Sequence, residues 1–118
     1  MENKNYPYSG GGKVIEFTLP SGKKVALREW TGLDRLTASR RFIGKPEEEK
    51  NEWFIHELIS RCIISIEGWD KPPKGYEELL KLSGKDLSVL ILAFTELNTP
   101  TADELKELRD FFPSISKT

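Results

Sequence analysis

The sequence predicts an α+β fold that is mostly α, an N-terminal β-hairpin packed on a bundle of four to five helices. Three observations predict it. Apolar and polar residues alternate with period two over residues 14–28. Beyond that stretch the apolar residues recur at intervals of three and four, as they do along one face of a helix. Breaks rich in Gly and Pro, with capping residues beside them, cut the helical portion into separate pieces.

Residues 1–12 hold Pro7, Ser9 and three successive glycines, a composition that suits a flexible arm. A single domain is expected over residues 13–113, followed by a short tail at 114–118. The hairpin occupies 13–29. Ile15, Phe17 and Leu19 alternate with Glu16 and Thr18, Val25 and Leu27 flank Ala26, and Pro20-Ser21-Gly22 supplies the turn between them. A two-stranded ribbon is marginal alone, so its apolar face must lie on helices.

The first helix is expected over 32–43, opened by the capping box Thr31-Gly32-Leu33-Asp34 and carrying Leu33, Leu36, Arg40 and Ile43 at helical spacing. Gly44-Lys45-Pro46 ends it. The second, over 47–66, begins with Glu47, Glu48 and Glu49, which suit a positive helix N-terminus, and bears the stripe Ile55, Leu58, Ile59, Cys62, Ile63 and Ile66. Gly68 and Lys71-Pro72-Pro73-Lys74-Gly75 stop it. A short helix follows over 76–82. Ser83-Gly84-Lys85-Asp86 then forms a second capping box for a helix over 86–97, with Leu87, Leu90, Ile91, Phe94 and Leu97 on one face. Thr101 and Glu104 open the last helix, over 101–112, with Leu105, Leu108, Phe111 and Phe112, and Pro113 closes it.

Charge and composition narrow the function. Lys and Arg number 18 against 19 Asp and Glu, so the net charge is −1 and the basic face that a nucleic-acid partner demands is not expected. A local basic patch, Arg28, Arg35, Arg40, Arg41 and Lys45, reads as a solvated helix face. Cys62 is the single cysteine, which rules out an internal disulfide and suits a reducing cytosol. The polar opening Met1-Glu2-Asn3-Lys4-Asn5 lacks the apolar run of a secretory signal, and the longest apolar stretch is too interrupted to span a bilayer. The reading is a cytoplasmic chain without a membrane partner.

No catalytic, metal or cofactor site is expected. His56 and Cys62 are the sole His and Cys, so a zinc site would draw half its ligands from carboxylates. Cys62 lies on the apolar stripe as a small hydrophobe, and His56 lies off the stripe's centre. Gly10-Gly11-Gly12-Lys13 lacks the Ser or Thr of a phosphate loop and precedes a strand. Binding surface remains. Val89, Leu92 and Ala93 make a second apolar face on the helix over 86–97, Trp69 stands in the Gly- and Pro-rich connector, and Phe112 competes with Phe111 for one helix face. These five, Trp69, Val89, Leu92, Ala93 and Phe112, are the candidate partner-binding residues, whereas Trp30 and Trp53 are assigned to the core.

The order Phe17-Thr18-Leu19-Pro20-Ser21-Gly22-Lys23, then Leu27-Arg28-Glu29-Trp30-Thr31-Gly32-Leu33-Asp34, resembles the opening of the small tail assembly chaperones of contractile-tailed bacteriophages. Leu79-Leu80-Lys81-Leu82-Ser83-Gly84-Lys85-Asp86-Leu87 is similar to their second half, where a helix follows a leucine-rich turn, so the likeness covers about residues 14–112. A similar opening occurs in phage baseplate hub assembly proteins. Neither family has catalytic residues to carry over. The resemblance implies a non-enzymatic protein of the infected host's cytoplasm that binds the hydrophobic tape measure protein, keeps it in solution and helps tail tube subunits assemble around it. The alternative is a baseplate or tail component retained in the particle, and a homo-oligomer stays open in either case.

Overall fold

Residues 12–111 are described by a computed structural model in which the elements run β1 (Val14–Thr18), β2 (Lys24–Arg28), α1 (Gly32–Arg40), α2 (Glu47–Cys62), β3 (Ile63–Ile66), α3 (Tyr76–Leu79), α4 (Gly84–Asn98) and α5 (Ala102–Phe111). The architecture is α+β and mostly helical, as expected. Most of the predicted arm, the tail at 114–118 and Phe112 lie outside the described residues.

β1 and β2 pair antiparallel from Val14↔Arg28 to Thr18↔Lys24. The turn between them is closed by the Gly22 amide donating to the Leu19 carbonyl at 2.8 Å, and Gly22 takes a φ of 97°, which a side chain would make costly. The sheet is wider than predicted. The expected helix over 47–66 ends at Cys62, and Ile63–Ile66 instead forms a third strand on the far side of β2, giving the order β1-β2-β3. A register shift between Ala26 and Leu27 leaves Ile64 as an extra residue between the pairs Leu27↔Ile63 and Ala26↔Ser65. That bulge lets Ile63 and Ile66, three apart, both turn inward, which mimics helical spacing in the sequence. Three isoleucines in four positions favour the strand.

The first helix also departs from expectation. α1 stops at Arg40 and continues as turns, and its apolar stripe faces outward: Leu33, Leu36 and Ile43 are 68, 49 and 78% exposed. The helix is held inward by the opposite side, through Ala38 and Asp34. Ile55, on the predicted stripe of α2, is likewise exposed, whereas Leu58, Ile59 and Cys62 are buried.

Asp34 explains α1's orientation. Its carboxylate completes the predicted capping box by accepting from the Thr31 amide at 2.8 Å, and it also takes both terminal nitrogens of Arg28, at 2.7 and 2.9 Å. Arg28 donates onward to the Arg61 carbonyl at 2.8 Å, so the end of β2, the start of α1 and the end of α2 share one buried node. A forked charge pair of this kind is strong and directional. The predicted basic patch is accordingly dispersed: Arg28 is in this node, Arg41 pairs with Glu77, Lys45 lies 4.0 Å from Glu49, and Arg35 and Arg40 stay exposed on α1.

The core gathers Val25 and Leu27 of β2, Leu58, Ile59 and Cys62 of α2, Ile63 and Ile66 of β3, Leu79 of α3, and Leu90 and Phe94 of α4. Each fully buried aliphatic side chain here stabilises the fold by about 1.5–3 kcal/mol. Burial pushes the Cys62 thiol up to about 12, in keeping with its packing role. A second cluster joins α1, α2 and α3, where Tyr76 stacks on Trp53 at 5.5 Å and on Phe42 at 5.9 Å, and buried Glu57 accepts the Tyr76 amide at 3.1 Å.

Candidate protein-binding site

α4 is joined to the hairpin at its two ends. Ser83 caps its N-terminus, receiving the Asp86 amide at 3.1 Å, but the reciprocal half of the predicted box is missing. The Asp86 carboxylate instead accepts the Ser21 amide of the hairpin turn at 3.0 Å, and hydrogen bonds from Ser21 hold it below the usual carboxylate range. At the other end Asn98 accepts the Trp30 amide at 3.0 Å while its own amide donates to the Phe94 carbonyl at 2.9 Å. α4 thus lies along the hairpin with its N-terminus at the turn and its C-terminus beside the β2–α1 connection.

Between those two pins a groove of about 630 Å³ remains open. β1, at the edge of the sheet, contributes Ile15 and Phe17, and α4 contributes Val89, Leu92, Ala93 and Leu97. Strand and helix periods meet here. Ile15 and Phe17 are two apart and share a strand face, while Val89, Leu92 and Ala93 share a helix face by three and four. Leu92 is 58% exposed and the others are half-buried, Ile15, Phe17, Val89 and Leu97 with one flank against the core. The far end is shaped by the 99–101 connection and the first turn of α5, whose capping box is complete: Thr101 receives the Glu104 amide at 3.1 Å and donates its own amide to Glu104 at 3.0 Å.

Among the described residues the charged lining is Lys13, Glu29, Glu96 and Glu104, three carboxylates to one ammonium. The backbone and hydroxyl hydrogen bonds of Thr101 hold the Glu104 carboxyl below the usual carboxylate range. The groove is apolar in its floor and negative at its edge, a form suited to apolar side chains that carry cationic neighbours.

Of the five candidate residues, Val89, Leu92 and Ala93 come together in the groove. Trp69 does not line it. Its indole is half-buried against the core, and its amide donates to the Ile66 carbonyl at 3.0 Å. Trp30 and Trp53 are half-buried as well, Trp30 against the core and Trp53 on Tyr76. Phe112 lies outside the described residues. Sequence reasoning missed the β1 half of the groove, because Ile15 and Phe17 read as wholly core-facing. It also missed Asn98, which lies just past the helix expected over 86–97 and is in fact the last residue of α4.

No protein-family model, curated protein or solved structure matches the chain. Among the described residues no helix is long and apolar enough to cross a membrane, and no three His, Cys, Asp or Glu side chains converge as metal ligands. His56 sits edge-on to Trp53 at 5.1 Å, and burial lowers its pKa. Its surroundings are those of a packed side chain.

Proposed function

We propose that this chain is a bacteriophage tail assembly chaperone whose β1–α4 groove holds apolar helical segments of the tape measure protein and keeps them in solution while tail tube subunits assemble. The observation that carries the reading is the convergence of Val89, Leu92 and Ala93 with Ile15 and Phe17 in one open apolar groove. The resemblance of residues 17–34 and 79–87 to the tail chaperones supports the choice of partner. A preformed groove of this size accepts a helix by a few apolar anchors, which favours the modest, exchangeable affinity that a transient escort needs. Such a chaperone works in the host cytoplasm and is absent from the finished particle.

Co-expression with the tape measure protein tests it. The wild-type chain is expected to raise the soluble yield of that protein and to be captured with it, and Leu92→Asp is expected to lose both. Because Leu92 is largely exposed, its thermal unfolding should stay within about 0.5 kcal/mol of wild type. Retained capture by Leu92→Asp would overturn the groove as the site. Detection of the chain by mass spectrometry in purified virions would favour a baseplate or tail component instead.

A further inference from the structure

α1 and the turn that follows it carry an apolar face that the other described residues leave uncovered. Leu33, Leu36, Arg40 and Ile43 follow one another at i, i+3, i+7 and i+10 and are all exposed, on the side opposite Asp34 and Ala38. This is the anchor spacing by which an amphipathic helix enters a groove. An exposed apolar stripe with polar borders marks an interaction surface. Arg35 stands beside the stripe, and Arg40 lies within it. A shallow recess next to it, between α1 and α2, has Arg35 and Lys50 as its charged lining residues.

The groove between β1 and α4 has the complementary form: concave, apolar in its floor, and rimmed by Glu29, Glu96 and Glu104, with Lys13 the one cation among the described lining residues. No residue of α1 lines that groove in its own chain. We propose that α1 and the turn after it, in one copy, dock in the β1–α4 groove of a second copy, with Leu33, Leu36 and Ile43 against Leu92 and Phe17, and with Arg35 and Arg40 toward the carboxylate rim. Donor face and acceptor face differ, so the contact is head-to-tail and each docked copy still offers one free face of each kind; the products are rings or open arrays. Charge sets the orientation, because a groove with a carboxylate rim selects a helix bearing arginines over one bearing acids. One consequence rests on the function proposed above: partner helix and α1 draw on the same groove, so the tape measure protein should disperse the assembly.

The test uses the chain alone and is independent of that function. Sedimentation equilibrium of the wild-type protein is expected to give a mass that rises with concentration above the 13.5 kDa of one chain. Leu36→Asp removes the α1 face and Leu92→Asp removes the groove face, and both positions are exposed enough for the fold to survive, which circular dichroism verifies. Each variant by itself should associate at least about tenfold more weakly than wild type. An equimolar mixture should form a dimer, since one variant keeps an intact groove and the other an intact α1. A wild type that stays monomeric at all concentrations, variants that associate as the wild type does, or a mixture that forms no dimer would each overturn the proposal.

Discussion

Where α2 meets α1 and α3, charged and aromatic groups are matched to partners of the same chain across the junction; where α4 meets the hairpin, hydrogen bonds join the two at each end of the helix. At the first junction Arg28 and Asp34 lock three elements, Glu57 accepts the amide that opens α3, and Tyr76 is layered between Trp53 and Phe42. At the second, Asp86 and Asn98 pin α4 to the turn and to Trp30, and the length between them is left as a groove. The contrast separates two uses of polar groups. In the first region they close the interior, and in the second they fix the spacing of two apolar walls without filling the gap. A groove held open by its ends is preformed, so a ligand entering it does not have to reorganise the fold.

The most severe break in this comparison is Asp34→Ala. It takes the Asp34 carboxylate from the Arg28 guanidinium, whose side chain is 11% exposed, and at the same time removes the Asp34 half of α1's capping box. A buried pair that loses one partner costs about 3–5 kcal/mol, and urea unfolding should register a loss in that range. A loss below about 1 kcal/mol would show that the node is solvated and that the first junction is no more closed than the second.

Asn98→Ala attacks the second region by its pin. The Trp30 amide loses its acceptor, an expected cost of about 1–3 kcal/mol, smaller than at Asp34 because no charged pair is broken. The same change frees the C-terminal end of α4 beside the hairpin, so amide exchange at Trp30 and over the last turn of α4 should quicken while the Arg28–Asp34 node keeps its protection. Uniform quickening across both regions would dissolve the distinction between them.

The sequence disclosed the first region's elements better than their faces, and the second region's helix better than its strand. Capping residues announced α1, α4 and α5 because a cap is a local arrangement, written within four residues. The α4 groove face was legible because Val89, Leu92 and Ala93 exceed what one core-facing stripe requires. The α1 stripe was read inside out, since periodicity reports that a helix has an apolar side and not that its own chain covers it. Here a pair between β2 and α1, Arg28 with Asp34, decided which side turned inward, and periodicity within the helix carries no trace of it. β3 was hidden by its bulge at Ile64, which gave a strand the spacing of a helix. Glu57 and Asn98 gave no sign of their partners, which lie 19 and 68 positions away.

Acid titration sharpens the comparison with the smallest perturbation, because it changes protons and no atoms of the packing. Burial alone would raise the Asp34 pKa, but the hydrogen bond from Arg28 and those from Thr31 outweigh it and hold the carboxyl below its ordinary 3.8. A carboxyl lowered in the folded state contributes stability that is complete above its unfolded value and is lost as pH falls through the folded one. Asp34 and Asp86 should therefore hold their contributions down to about pH 4 and lose them below it. His56 acts at higher pH and adds an earlier, shallow decline. Burial lowers its folded pKa below 6.5, so on acidification the unfolded chain takes up that proton first and stability begins to fall near 6.5. The urea midpoint followed from pH 8 to pH 2 is thus expected to fall in two stages, with His56→Gln removing the upper one. Asp34→Asn should flatten the lower stage in the first region, and Asp86→Asn in the second. If Asp86→Asn leaves the lower stage unchanged while Asp34→Asn abolishes it, the turn contact at Ser21 contributes nothing to stability, and the groove is held at its Asn98 end alone.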